Sequence, residues 1–81
     1  MAISEFQTSE LDLAAAIMTG TGRQPEVFQQ PGRPLVTFEF PADEATLMII
    51  MAFAGGELVQ PVKSFAGCRA WLYRRAREVR G

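Results

Sequence analysis

Apolar residues recur along this chain with two distinct periods. Leu11, Ala14, Ala15 and Met18, widened by Leu13 and Ile17, mark one face of a helix. Ser9 stands before that run as the expected N-cap. Glu10 and Asp12 follow in the first turn, where the helix dipole favours negative charge. Gly20 and Gly22 are expected to end this helix at about Thr19, because glycine takes the left-handed C-cap conformation cheaply. Further on, Val36, Phe38 and Phe40 alternate with Leu35, Thr37 and Glu39, the two-residue period of a strand covered on one face. Its hairpin partner reads Glu26 to Gln30. Between them Pro31 fixes φ at the first corner of a turn and Gly32 supplies positive φ at the second. Val27 joins the core face of the hairpin, or Phe28 does if the register slips by one. A short strand over Ala2 to Gln7, with Ile3 and Phe6 turned inward, precedes the first helix.

Two more helices complete the pattern. Asp43 is the expected N-cap of the second, with Glu44 just inside; this helix runs to about Ala54 and stops at Gly55-Gly56. The third begins between Pro61 and Ser64 and runs almost to the end. Its apolar stripe is Phe65, Cys68, Leu72, Ala76 and Val79, spaced by three, four, four and three. The order strand-helix-strand-strand-helix-helix predicts an α+β fold, a small antiparallel sheet packed with helices. Its 81 residues make a single domain, 1–81.

The second helix departs from the usual amphipathic pattern. "LMIIMAFA", from Leu47 to Ala54, is apolar on every side. One face suffices for a core, and Leu47, Ile50, Met51 and Phe53 or Ala54 are assigned to it. Met48, Ile49 and Ala52 are then left facing outward, with Trp71 of the third helix as a neighbour. A helix apolar all round is either buried by its own chain or covered by another. So small a domain has little material to wrap a helix completely, so a second protomer or a partner protein is the expected cover.

Composition narrows the chemistry. With 48% hydrophobic and 21% charged residues, the chain is globular in character and carries no low-complexity run. A domain of this size has a thin stability margin and often relies on a disulfide, a metal or a second protomer. One cysteine and no histidine leave neither a disulfide within the chain nor a Cys/His zinc site, so oligomerisation is the remaining aid. No cofactor motif is present. "GTGR", Gly20 to Arg23, follows a helix and does not open one, so no helix N-terminus is aimed at a phosphate there. Catalysis is not expected: Ser and Cys nucleophiles lack a histidine base, Cys68 lies on an apolar stripe, and Asp43 and Glu44 sit where a helix start favours carboxylates. The start "MAISEFQTSE" lacks the basic and apolar regions of a signal peptide, and no apolar run is long enough for a bilayer. A cytoplasmic protein with no membrane contact is expected.

The formal net charge of −1 conceals a division. Residues 1–60 set two arginines against eight carboxylates, a net −6; residues 61–81 set six cations against Glu78, a net +5. Arg69, Tyr73, Arg77 and Arg80 fall on one outer flank of the third helix, with Arg74 beside them. Arginine beside aromatics is the composition that holds phosphate and stacks bases. Arginine near a helix C-terminus is also stabilising by itself, and the acidic body offers partners. A dedicated nucleic-acid domain is usually basic overall, which this chain is not. Nucleic-acid contact through these five residues is therefore the second functional reading, after self-association or a protein partner.

"FQTSELDLA" from Phe6, "VTFEF" from Val36, "PADEA" from Pro41 and "VKSFAGCRAWLYRRA" from Val62 together resemble a family of short bacterial and phage proteins of uncharacterised function. Its members look like F-x-T-x-D-L-x-L-A at the start, then a hairpin ending in F-x-F, an acidic helix start and a closing basic helix. Glu10 stands where the family's first motif has aspartate. The resemblance spans nearly the whole chain and rests on caps and core positions, so it implies the fold and no activity.

Overall fold

The computed structural model describes residues 4–80. The elements are β1 (Glu5–Thr8), α1 (Leu11–Thr21), β2 (Glu26–Gln29), β3 (Val36–Pro41), α2 (Glu44–Ala54) and α3 (Val62–Arg80). β3 is the central strand, antiparallel to β1 on one side and to β2 on the other. The fold is thus α+β in the expected order. Ala2 and Ile3 of the expected first strand lie outside the described residues.

The hairpin turn forms as its residues require. Arg33 N–H donates to the Gln30 carbonyl at 3.1 Å, closing a four-residue turn around Pro31 and Gly32, and Gly32 takes a φ of 74°. The resulting register pairs Val27 with Phe38 and Phe28 with Thr37. Val27 is therefore the residue on the core face, as is Phe6, which pairs with Phe40 from the far side of β3. Phe28 lies on the opposite face with Thr37, which is buried there although its alternation places it outside the main core.

α1 is the centre of the helical layer. It packs on both α2 and α3, and Ala14, Ala15, Ala16 and Ile17 are fully buried. Three consecutive alanines let neighbouring elements come close without overpacking. Leu13, Ile17, Val36, Phe38, Phe40 and Leu72 form one cluster with Ala14 and Ala15, on which Trp71 and Ala76 of α3 also rest.

Both ends of α1 differ from expectation. Glu10, not Ser9, occupies the N-cap, and no side chain caps the helix; the Thr8 hydroxyl instead accepts from the Glu10 amide. At the other end the helix continues to Thr21. The Thr19 and Thr21 hydroxyls donate to the Ala15 and Ile17 carbonyls at 2.7 Å, so they are satisfied inside the helix. Gly22, with φ 73°, is the left-handed C-cap, and its N–H donates to the Met18 carbonyl. Gly20 thus lies within the helix, and its role is close packing rather than termination.

α2 begins as expected. The Asp43 side chain accepts from the Thr46 amide at 3.0 Å and also pairs with Arg23, which projects from just beyond α1. The molecule measures 37 × 34 × 19 Å, a slab about two layers thick. α3 lies across α1, β2 and β3, whereas the packing of α2 runs to α1.

Candidate functional site

The inward face of α2 carries Thr46, Ile49, Ile50 and Phe53. Thr46 is fully buried, and the other three pack on the core. Ile49 reaches the backbone of α1 at Gly20, where a Cβ would stand only 2.5 Å from Ile49 Cδ1. Ile49 is therefore turned into the molecule, contrary to its expected outward position. Leu47 and Met51, assigned to the core from sequence, point outward instead. Met48 is exposed as expected, and Ala52 is half-buried. The helix is rotated by about one residue's angular step from the orientation read in the sequence.

The outer face is consequently apolar and bare. Leu47 is 47% exposed, Met48 63% and Met51 74%. Glu44, at the start of the helix, shares this side, and residues 45–56 contain no charge at all. α3 does not cover this face: Trp71, expected as a neighbouring contact residue, is half-buried against the core on its own side.

A second feature, absent from the sequence reading, adjoins the C-terminal end of α2. A hollow of about 330 Å³ opens there, lined by Phe53, Gly56, Leu58, Gln60, Val62 and Phe65. Gln60 holds the connecting segment against α1, its Nε2 donating to the Ala16 carbonyl at 2.8 Å. Val59 and Val62, beside the hollow, are 92% and 82% exposed.

One signal in the sequence locates the outer face. Glu44 is the only charged residue of α2, and positions three, four and seven further on share its side of a helix. Those positions are Leu47, Met48 and Met51. No comparable signal marks the hollow, because a connector and two helix ends form it.

The arginines of α3 meet different fates. Arg69 donates from Nε to Asp12 of α1 at 2.6 Å, so one charge of the basic segment is matched by the acidic body. Arg75 pairs with Glu78 one turn along the same helix at 3.2 Å. Arg77 lies over the Tyr73 ring, 5.9 Å from its centroid, within cation–π range. Arg74 and Arg80 enter no ion pair among the described residues. Arg80 and Tyr73 also border a smaller hollow of about 180 Å³ whose lining includes Leu11, Val36, Phe38 and Ala76.

Cys68 is a half-buried free thiol. The Asp43 carboxyl is held below its ordinary value first by the Thr46 amide and then by Arg23. Both contacts belong to a helix cap. Among the described residues no group of three or more His, Cys, Asp or Glu side chains could hold a metal ion, and no helix is long and apolar enough to cross a membrane. No family model, curated protein or solved structure matches this chain.

Proposed function

We propose that this chain is a non-catalytic, cytoplasmic interaction module that self-associates through the outer face of α2. The observation that carries this reading is the bare face itself: Leu47, Met48 and Met51 stand in solvent on a helix without a charge from residue 45 to 56. Removing such a surface from water is favourable in proportion to the apolar area covered. Methionine, flexible and polarisable, suits an adaptable contact. Ile49 supports the face from behind against α1, and Ala52 lies at its border. The opposed charges of body and basic segment set orientation and encounter rate.

Light scattering across a concentration series, at low and high salt, tests this. Wild-type protein is expected at twice the chain mass, indifferent to salt. Met48→Glu and Met51→Glu, both at exposed positions, are expected to be folded monomers. A wild-type monomer at every concentration would overturn the proposal.

A second reading is favoured by one observation. Arg74 and Arg80 form no ion pair among the described residues, and Arg77 shares the exposed flank with Tyr73. On this reading α3 binds nucleic acid through Arg69, Tyr73, Arg74, Arg77 and Arg80. Co-elution of material absorbing at 260 nm, lost at high salt and abolished by Arg74→Glu with Arg77→Glu, would support it.

A further inference from the structure

We propose that the smaller hollow, between the start of β3 and the second half of α3, is a binding site for a small apolar carboxylate. The body of such an acid, one aromatic ring or a short aliphatic chain, fills the hollow, and its carboxylate meets Arg80. The proposal stands apart from self-association through α2, whose outer face contributes no residue to this hollow. The floor is core surface: Leu11, Val36 and Phe38 line it, the last two only 8% and 2% exposed. Leu35, exposed ahead of the strand, extends the apolar lining toward solvent.

The spacing along α3 explains why the space exists. Tyr73, Ala76 and Arg80 are separated by three and four residues, so they share one side of the helix. All three line the hollow, and Ala76 is the small member between two long ones. The room that Ala76 leaves is the hollow itself. Arg77, which lies over the Tyr73 ring 5.9 Å from its centroid, is not part of the lining and steadies the ring from outside.

Size and charge define the occupant. The hollow measures about 180 Å³, and an apolar cavity of roughly 150 Å³ is enough to hold benzene. Among the described lining residues Arg80 alone carries a charge, and it enters no ion pair among the described residues. A guanidinium takes a carboxylate through two parallel hydrogen bonds. The hydroxyls of Tyr73 and Ser9 are further donors, and Ser9 is not engaged as a helix cap, since Glu10 occupies that position. Glu10 itself is not part of the lining. Ser9, Tyr73 and Arg80 are exposed whereas Val36 and Phe38 are buried, so the hollow is apolar at its floor and polar at its mouth. That gradient orients the ligand, ring inward and carboxylate outward.

Phenylacetate titrated into isotope-labelled protein, followed by amide chemical shifts, tests the proposal. Saturable shifts at Ser9, Leu35, Ala76 and Arg80 are expected, with a Kd of about 1 mM or tighter. 2-Phenylethanol keeps the ring without the charge, and acetate the charge without the ring; each should bind at least about ten-fold more weakly. Arg80→Gln should weaken phenylacetate about ten-fold and leave 2-phenylethanol unchanged. Ala76→Leu, which fills the hollow, should abolish binding of both in a protein that circular dichroism shows to be folded. Arg74→Gln, on the same helix but outside the hollow, should change neither. Nuclear Overhauser effects from the ligand ring to Leu35 and Val36 of the wild type locate the ring without any variant. The absence of saturable shifts would overturn the proposal. So would acetate binding as tightly as phenylacetate, or Arg74→Gln weakening binding as much as Arg80→Gln. None of these outcomes depends on whether the protein is a monomer or a dimer, which light scattering decides separately.

Discussion

Gly20 of α1 and Ile49 of α2 meet so closely that a methyl group on Gly20 would stand 2.5 Å from Ile49 Cδ1 and 3.0 Å from Cγ1. The missing side chain at Gly20 is what lets α2 lie against α1 at this depth. Gly20→Ala adds a helix-propensity gain of up to about 1 kcal/mol, against an overpacking cost of about 1–3 kcal/mol. Since both Cγ1 and Cδ1 crowd the site, rotating one methyl does not relieve it, and a net loss of about 1 kcal/mol is expected. Ile49→Val deletes Cδ1 itself. In that background Gly20→Ala should become neutral or stabilising, a change that urea unfolding of the four proteins will measure. Equal effects in both backgrounds would mean that the contact is slack.

The connection between α2 and α3 depends on Gln60, whose amide donates to Ala16 of α1. Gln60→Ala is expected to cost about 1 kcal/mol, the usual net value of a hydrogen bond. Gln60→Glu should cost more at neutral pH, because it turns a carboxylate toward a carbonyl oxygen. Thermal unfolding of the two variants will show whether the order holds.

Asp43 gives the fold an acid-sensitive element. Its carboxyl is held below the ordinary 3.8 by the Thr46 amide and then by Arg23, so the folded state favours the charged form. The stability this provides is complete above the ordinary value and is lost as pH falls through the lowered one. Asp43→Asn keeps an acceptor for the Thr46 amide without the charge. The difference in urea midpoint between wild type and Asp43→Asn should hold from neutral pH to about 5 and shrink below about 4. A difference that grows in acid would contradict the assignment.

Leu72 is the one fully buried side chain of α3, while Arg69 makes that helix's ion pair to α1 at the surface. Leu72→Ala should cost about 2–5 kcal/mol, a large part of the stability of so small a domain. Arg69→Ala should cost under about 1 kcal/mol, since exposed pairs are weak and screened. Chemical denaturation of both variants will show whether packing, more than charge, secures the helix.

Much of the candidate site was legible before the fold, but its orientation was not. The chargeless run from residue 45 to 56 marks α2 as a helix with an uncovered side. Apolar residues on both faces make several rotations equally hydrophobic, so the pattern placed Ile49 outside and Leu47 and Met51 inside. Glu44 alone indicated the correct side, through the positions that share its face. The hollow beside Phe53 and Val62 had no sequence signature, because residues from three separate segments border it.

Local chemistry determined the elements of this protein. Pro31-Gly32 makes its turn by φ preference alone, Asp43 caps its helix with its own carboxylate, and the alternation about Phe38 and the stripe through Leu72 follow from backbone period. Tertiary structure decided what local energies leave degenerate. Which strand face receives Val27 waited on pairing with Phe38. Where α1 ends depended on which of two glycines took the left-handed turn. Which side of α2 faces water was set by the space that Gly20 leaves for Ile49, because a helix apolar all round finds its rotation only in the shape of its neighbour.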